Sequence, residues 1–200
     1  MGTANTVLVV FLVVAAVLAV YLVIIYNNLV TVKNNVARAW ANIDVLLKQR
    51  HDEIPKLVEV CRQYMQFEQD TLVRVAEARS QVAKAREAQN IGALGPAEAA
   101  LRAGVAKVFA VAEAYPQLKA NQNFMQLQSR ITGLENAIAD RREFYNDSVN
   151  VNNIRIQQFP DAVIAARFGF RDAHMLDFEA KEIADVDVKS LFGSRAGGAA

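Results

Sequence analysis

Twenty consecutive apolar residues, Val7 to Tyr26, constrain this chain more than any other feature. As a helix they rise about 30 Å, the thickness of a bilayer's hydrocarbon core. No charged side chain precedes Lys33, and Tyr21 and Tyr26 stand near one end of the run, where amphipathic rings favour the membrane interface. A cleaved signal peptide has a basic leading segment, about 7–15 apolar residues and a small-x-small cleavage site. Here Met1 to Thr6 carries no Lys or Arg, the run is longer, and Tyr21 to Asn28 offers no such site. A helix buried on all sides needs equally apolar neighbours, and no other segment supplies them. The run is therefore expected to be a retained transmembrane helix over residues 7–26, with the lipid bilayer as its partner and residues 1–6 as a short outer tip. Lys33, Arg38, Lys48 and Arg50 follow it, opposed only by Asp44. The positive-inside rule then puts the rest of the chain in the cytoplasm.

Beyond the span the chain is rich enough in apolar residues to rule out global disorder: they make up 53% of the whole, and the net charge is +1. Lys plus Arg is 22 against 21 for Asp plus Glu, so no nucleic acid partner is expected. The single cysteine, Cys61, excludes an internal disulfide and a cysteine metal cluster.

The pattern after the span is helical. Val32, Val36, Trp40, Ile43 and Leu47 recur at steps of three and four, with no Gly or Pro to separate them from the span. The membrane helix should thus run on into a first soluble helix. A break is expected at His51 to Pro55, where Asp52 is a suitable cap and Pro55 fits a first turn. A second helix then extends to about Asn90, with Ile54, Leu57, Cys61, Leu72, Val75 and Val82 on one face. Ile91 to Gly95 reads as a turn, and Pro96 as the start of a third helix carrying Leu101, Val105, Val108 and Phe109. Tyr115-Pro116 ends it. Phe124, Leu127, Ile131, Leu134 and Ile138 form a heptad seam that resumes at Tyr145, and Phe159-Pro160 closes that helix. Asp161 to Phe168 is a short helix ending at Gly169. The fold class is all-α: a transmembrane helix continuing into an elongated antiparallel helical bundle over 27–170, with 171–200 as a flexible tail.

Several blocks together resemble one family. They are Tyr26-Asn27-Asn28-Leu29-Val30, Ala39-Trp40-Ala41-Asn42-Ile43-Asp44, Asp52-Glu53-Ile54-Pro55-Lys56-Leu57-Val58-Glu59, the run Ala112 to Ala120 around Tyr115-Pro116, Leu134-Glu135-Asn136-Ala137-Ile138-Ala139, Phe144-Tyr145-Asn146, and Ile156-Gln157-Gln158-Phe159-Pro160. In this order, across roughly residues 5–170, they resemble the bacterial LemA family. His51 and Lys56 depart from it, where arginine and asparagine are common. The resemblance implies a single membrane helix followed by a helical bundle. It also implies, as an alternative role, an accessory component of a membrane proteolysis or envelope stress-response system, with a membrane zinc protease as partner. It carries no catalytic residues.

The residues themselves supply no catalytic, cofactor or metal site. His51 and His174 stand in no ligand spacing, and no phosphate-binding glycine motif occurs. Cys61 reads as core. Glu135 and Glu143 have no second carboxylate placed for acid–base work. Arg141 interrupts the heptad seam, either solvated at the bundle end or paired with a buried acid such as Asp44 or Glu113. Asn146, Asn150, Asn152 and Asn153 crowd the end of the long helix, either as a solvated terminus or as an amide ladder for a partner. Ala15 and Ala19 form a small-xxx-small pair within the span. Met65, Phe67, Val73, Val111, Met125 and Val151 fall off the core stripes. The expected function is non-enzymatic: a membrane-anchored scaffold or adaptor that works by helix–helix assembly, as a homo-oligomer.

Overall fold

The computed structural model describes residues 2–66 and 68–176. Phe67 and the tail from 177 onward lie outside the described residues. Six helices account for the rest, and no strand occurs among them: α1 Thr3–Tyr64, α2 Gln69–Glu87, α3 Ile91–Ala112, α4 Pro116–Lys119, α5 Gln122–Gln157 and α6 Asp161–Phe168.

The apolar run and the first soluble stripe are one helix, as their uninterrupted pattern predicts. At 62 residues α1 is about 93 Å long. It does not break at Pro55, contrary to the sequence expectation. Proline lacks an N–H and crowds the carbonyl of the residue four before it, here His51. That carbonyl is taken by Arg79 of α2, whose Nε donates to it at 2.9 Å, while Arg79 Nη2 lies 2.6 Å from His51 Nε2. The lost helical bond is replaced from a neighbouring element, and α1 continues to Tyr64.

The next turn also differs from expectation. Asn90, not Asp52, caps a helix here: its side chain accepts from the Ala93 N–H at 3.1 Å, and α3 starts at Ile91 with both glycines inside it. Past the end of α2, Gln89 takes a left-handed φ of 49°. The Asn90 N–H bonds the Ala85 carbonyl and the Gln89 N–H bonds that of Arg86, the paired closure of a Schellman end. Gly104 allows α2 and α3 to approach, since a Cβ there would lie 3.1 Å from the Val75 side chain. The breaks at Pro116 and Pro160 and the stop at Gly169, with φ of 72°, fall where the sequence puts them.

Helices α1 and α5 form the long axis and run antiparallel. Tyr64 meets Asn121 just before α5, Glu53 meets Arg130, and Trp40 packs edge-on against Tyr145 at 5.9 Å. The α2–α3 hairpin covers the upper part of α1, and a continuous core runs through Ile43, Leu57, Val75, Val105, Ile131 and Val149. Ile138 is buried as the seam predicts, but Leu134 is only half-buried. Met65, expected outside, lies fully inside.

Candidate functional site

Two polar arrangements occupy the bundle. The first crosses its middle. Arg50 of α1 donates through Nη2 to Glu98 of α3, and both side chains are buried. Glu53, one turn further along α1, is buried too and accepts Arg130 Nη2 at 2.8 Å and Lys56 Nζ at 3.2 Å. Glu135 of α5 completes the layer. Its burial raises its pKa above the usual carboxylate range, against the pull of Arg50 and Arg102 and with a push from Glu98. This layer ties α1, α3 and α5 together in one register. Such a pair adds little net stability over well-packed apolar residues, but breaking it by removing one partner is costly.

This layer leaves no linear signal in the sequence, because its members are scattered over three helices. Arg141, the cation that interrupts the heptad seam, is exposed. Glu113 is exposed as well, and Asp44 faces Arg86 at 3.6 Å. The reason is rotational: Arg141 lies on the outer side of α5, whereas Arg50 lies on the inner side of α1.

The second arrangement is a clasp at the other end of α5. Asn146 binds Leu176 twice: its Nδ2 donates to the Leu176 carbonyl at 3.0 Å, and its Oδ1 accepts the Leu176 N–H at 2.8 Å. Asn153 treats Ala173 in the same way, at 3.0 and 2.9 Å. Tyr145 Oη donates to the His174 carbonyl at 2.9 Å, and Asn152 Nδ2 to that of Arg171 at 3.3 Å. The spacing explains the fit. Asn146 and Asn153 are two helical turns apart, about 10.5 Å, and three extended residues span about 10 Å. Segment 171–176 thus lies antiparallel along α5, its backbone paired by amide side chains in place of a sheet. Leu176 is 3% exposed and joins the core. The asparagines form a ladder that binds this chain's own backbone; Asn150, on the outer side, is exposed and takes no part. Residues 171–176, expected in the tail, belong to the bundle.

Beside the clasp lies a cleft of about 530 Å³, lined among others by Lys33, Trp40, Tyr145, Asn152, Phe170 and Arg171. It offers aromatic faces, two cations and backbone polar groups. Lys33 Nζ sits 5.9 Å from the Phe170 ring centroid. Its lining contains no nucleophile beside a general base, and the Tyr145 hydroxyl is committed to the clasp.

The remaining candidates are structural. Cys61 is fully buried, and burial pushes its thiol up to about 12, far from a reactive thiolate. Desolvation and the adjacent Arg79 lower the pKa of His51, whose neutral ring accepts from that guanidinium. Glu143 is exposed. Among the described residues, no three His, Cys, Asp or Glu side chains are placed to hold a metal ion.

One outer surface stands apart. Phe144 and Val151 are seven residues apart on α5, on one side of it and turned away from the buried Tyr145, Val149 and Asn152, and are 55% and 50% exposed. Val73 and Met125 are exposed elsewhere, while Val111 packs against the core.

The LemA family profile matches residues 39–190, which includes the clasp segment. Two proteins of Paramagnetospirillum magneticum, magnetosome proteins MamQ 2 and MamQ 1, are each 23% identical over 186 residues, covering 82% of this chain and 68% of their own length. Magnetosome protein MamQ of Magnetospirillum gryphiswaldense is 21% identical over 169 residues, covering 73% of this chain and 62% of its own.

Proposed function

We propose that this chain, which belongs to the LemA family, is a membrane-anchored scaffold or adaptor that acts without catalysis, by lateral helix–helix assembly of identical rods. Residues 7–26 of α1 cross the inner membrane in this reading, and the flank of Lys33 and Arg38 holds the bundle on the cytoplasmic side. α1 is the one helix among the described residues long and apolar enough for a span. The observation that carries the assembly is the Phe144–Val151 face. It runs parallel to the anchored axis, where a neighbouring rod in the same plane meets it side by side. Confinement to a membrane raises the effective concentration of such faces without any new contact.

Purification of the full chain from its membranes in mild detergent, followed by native mass analysis, tests the reading. A homo-oligomer is expected. A monomer that co-purifies with a membrane zinc protease would instead support an accessory role in proteolysis.

A further inference from the structure

Ile25 lies in the last turn of the apolar run, yet it is 4% exposed. It shares a buried cluster with Leu29 of α1 and Ala165 of α6, against which Ile164 of α6, Ile156 at the end of α5, and Phe170 pack. The α5–α6 corner therefore sits at the depth of the last turn of the run, not above it. Tyr26, which closes the run, meets the rings of Phe168 and Phe170 edge-on at 5.0 and 5.9 Å.

We infer that this corner is an interfacial foot, with Phe159, Val163 and Phe168 seated in the acyl–headgroup boundary of the bilayer that α1 crosses. The inference rests on the reading of residues 7–26 as a span. Phe159 is 84% exposed, the most exposed large apolar side chain among the described residues, and Val163 and Phe168 are each 60% exposed. Three such side chains within ten residues are costly in water, whereas a short amphipathic element at a membrane surface seats its apolar side about 5–10 Å deep.

Charge fits the same partner. Asp161, the acid of α6, is buried and paired with Arg155 at 2.9 Å, so it presents no charge outward. Arg167 and Arg171 are exposed, with Asp172 as their acidic neighbour, and Lys33 stands seven residues beyond Tyr26. That is about 10 Å of helix rise, within reach of anionic headgroups for a long, snorkelling side chain. The foot fixes the tilt of the rod relative to the membrane, since α1 and the α5–α6 corner packed against it both touch lipid in this arrangement.

Depth-dependent quenching tests this in the full chain reconstituted into vesicles of phosphatidylcholine and phosphatidylglycerol. In a Trp40→Phe background, single tryptophans are placed by Phe159→Trp, Val163→Trp and Phe168→Trp. Leu22→Trp reports the span, and Phe144→Trp reports the outer face of α5. Circular dichroism confirms unchanged helicity. Lipids brominated near the carbonyl end of their chains should quench the three foot positions by about half or more and leave Phe144→Trp bright. The same lipids should quench Leu22→Trp, which lies about 6 Å inside the Tyr26 end of the run. If Leu22→Trp is quenched while the foot positions behave like Phe144→Trp, the foot is overturned and the anchor stands. If Leu22→Trp is not quenched, the anchor fails and the foot with it. Blue-shifted but unquenched emission at the foot would show protein covering it and would overturn lipid as the occupant.

Discussion

Arg50 is the residue on which the interior depends most. It is buried between Glu98, its hydrogen-bond partner, and the raised carboxyl of Glu135. Removing it takes the ion-pair partner from the buried Glu98, which costs about 3–5 kcal/mol. Arg50→Met should destabilise the bundle by that amount in denaturant titrations, and adding Glu98→Leu should recover most of it. Equal stability of Arg50→Met and wild type would contradict the layer. Glu135 makes a separate, signed prediction. Its native pKa lies above the ordinary value of 4.5, so the folded state binds the proton more tightly than the unfolded chain. Its contribution is most favourable below that ordinary value and is lost as pH rises through the native one. Relative to Glu135→Gln, the wild type should gain melting temperature as pH falls from neutrality toward 4.5. Parallel profiles would show that Glu135 titrates normally.

At the scale of elements, the clasp converts four side chains into a docking rail for segment 171–176. Each two-bond asparagine contributes about 1–3 kcal/mol, so Asn153→Ala should speed hydrogen exchange of the Ala173 amide roughly 5- to 150-fold. Asn146→Ala should do the same at Leu176, while the exposed Asn150→Ala should change neither. Unchanged exchange at Ala173 and Leu176 would remove the clasp as the force that holds the segment. Helix existence and the breaks at Pro116, Pro160 and Gly169 were legible in the sequence, because each depends on local steric limits. The passage of α1 through Pro55 was not, because the bond that rescues it comes from Arg79, on another helix. The clasp was half legible. The crowding of Asn146, Asn152 and Asn153 was visible, but their target is an extended segment with no periodicity of its own. The buried charge layer left no linear signal, since Arg50, Glu98 and Glu135 meet only after three helices pack.

The whole molecule is a rod: α1 measures about 93 Å, of which about 30 Å matches a bilayer, and α5 adds about 54 Å alongside it. A rod exposes more surface for its volume than a sphere, and the Phe144–Val151 face is part of that excess. The proposed assembly uses this face between copies. Cross-linking the full chain in native membranes, as wild type and as the Phe144→Asp, Val151→Asp double variant, tests it directly. Both positions are exposed, so the variant should keep its helicity. A ladder extending beyond dimer is expected for the wild type, with its collapse to monomer in the variant. Monomer bands alone from the wild type at endogenous levels, or an unchanged ladder in the variant, would contradict it.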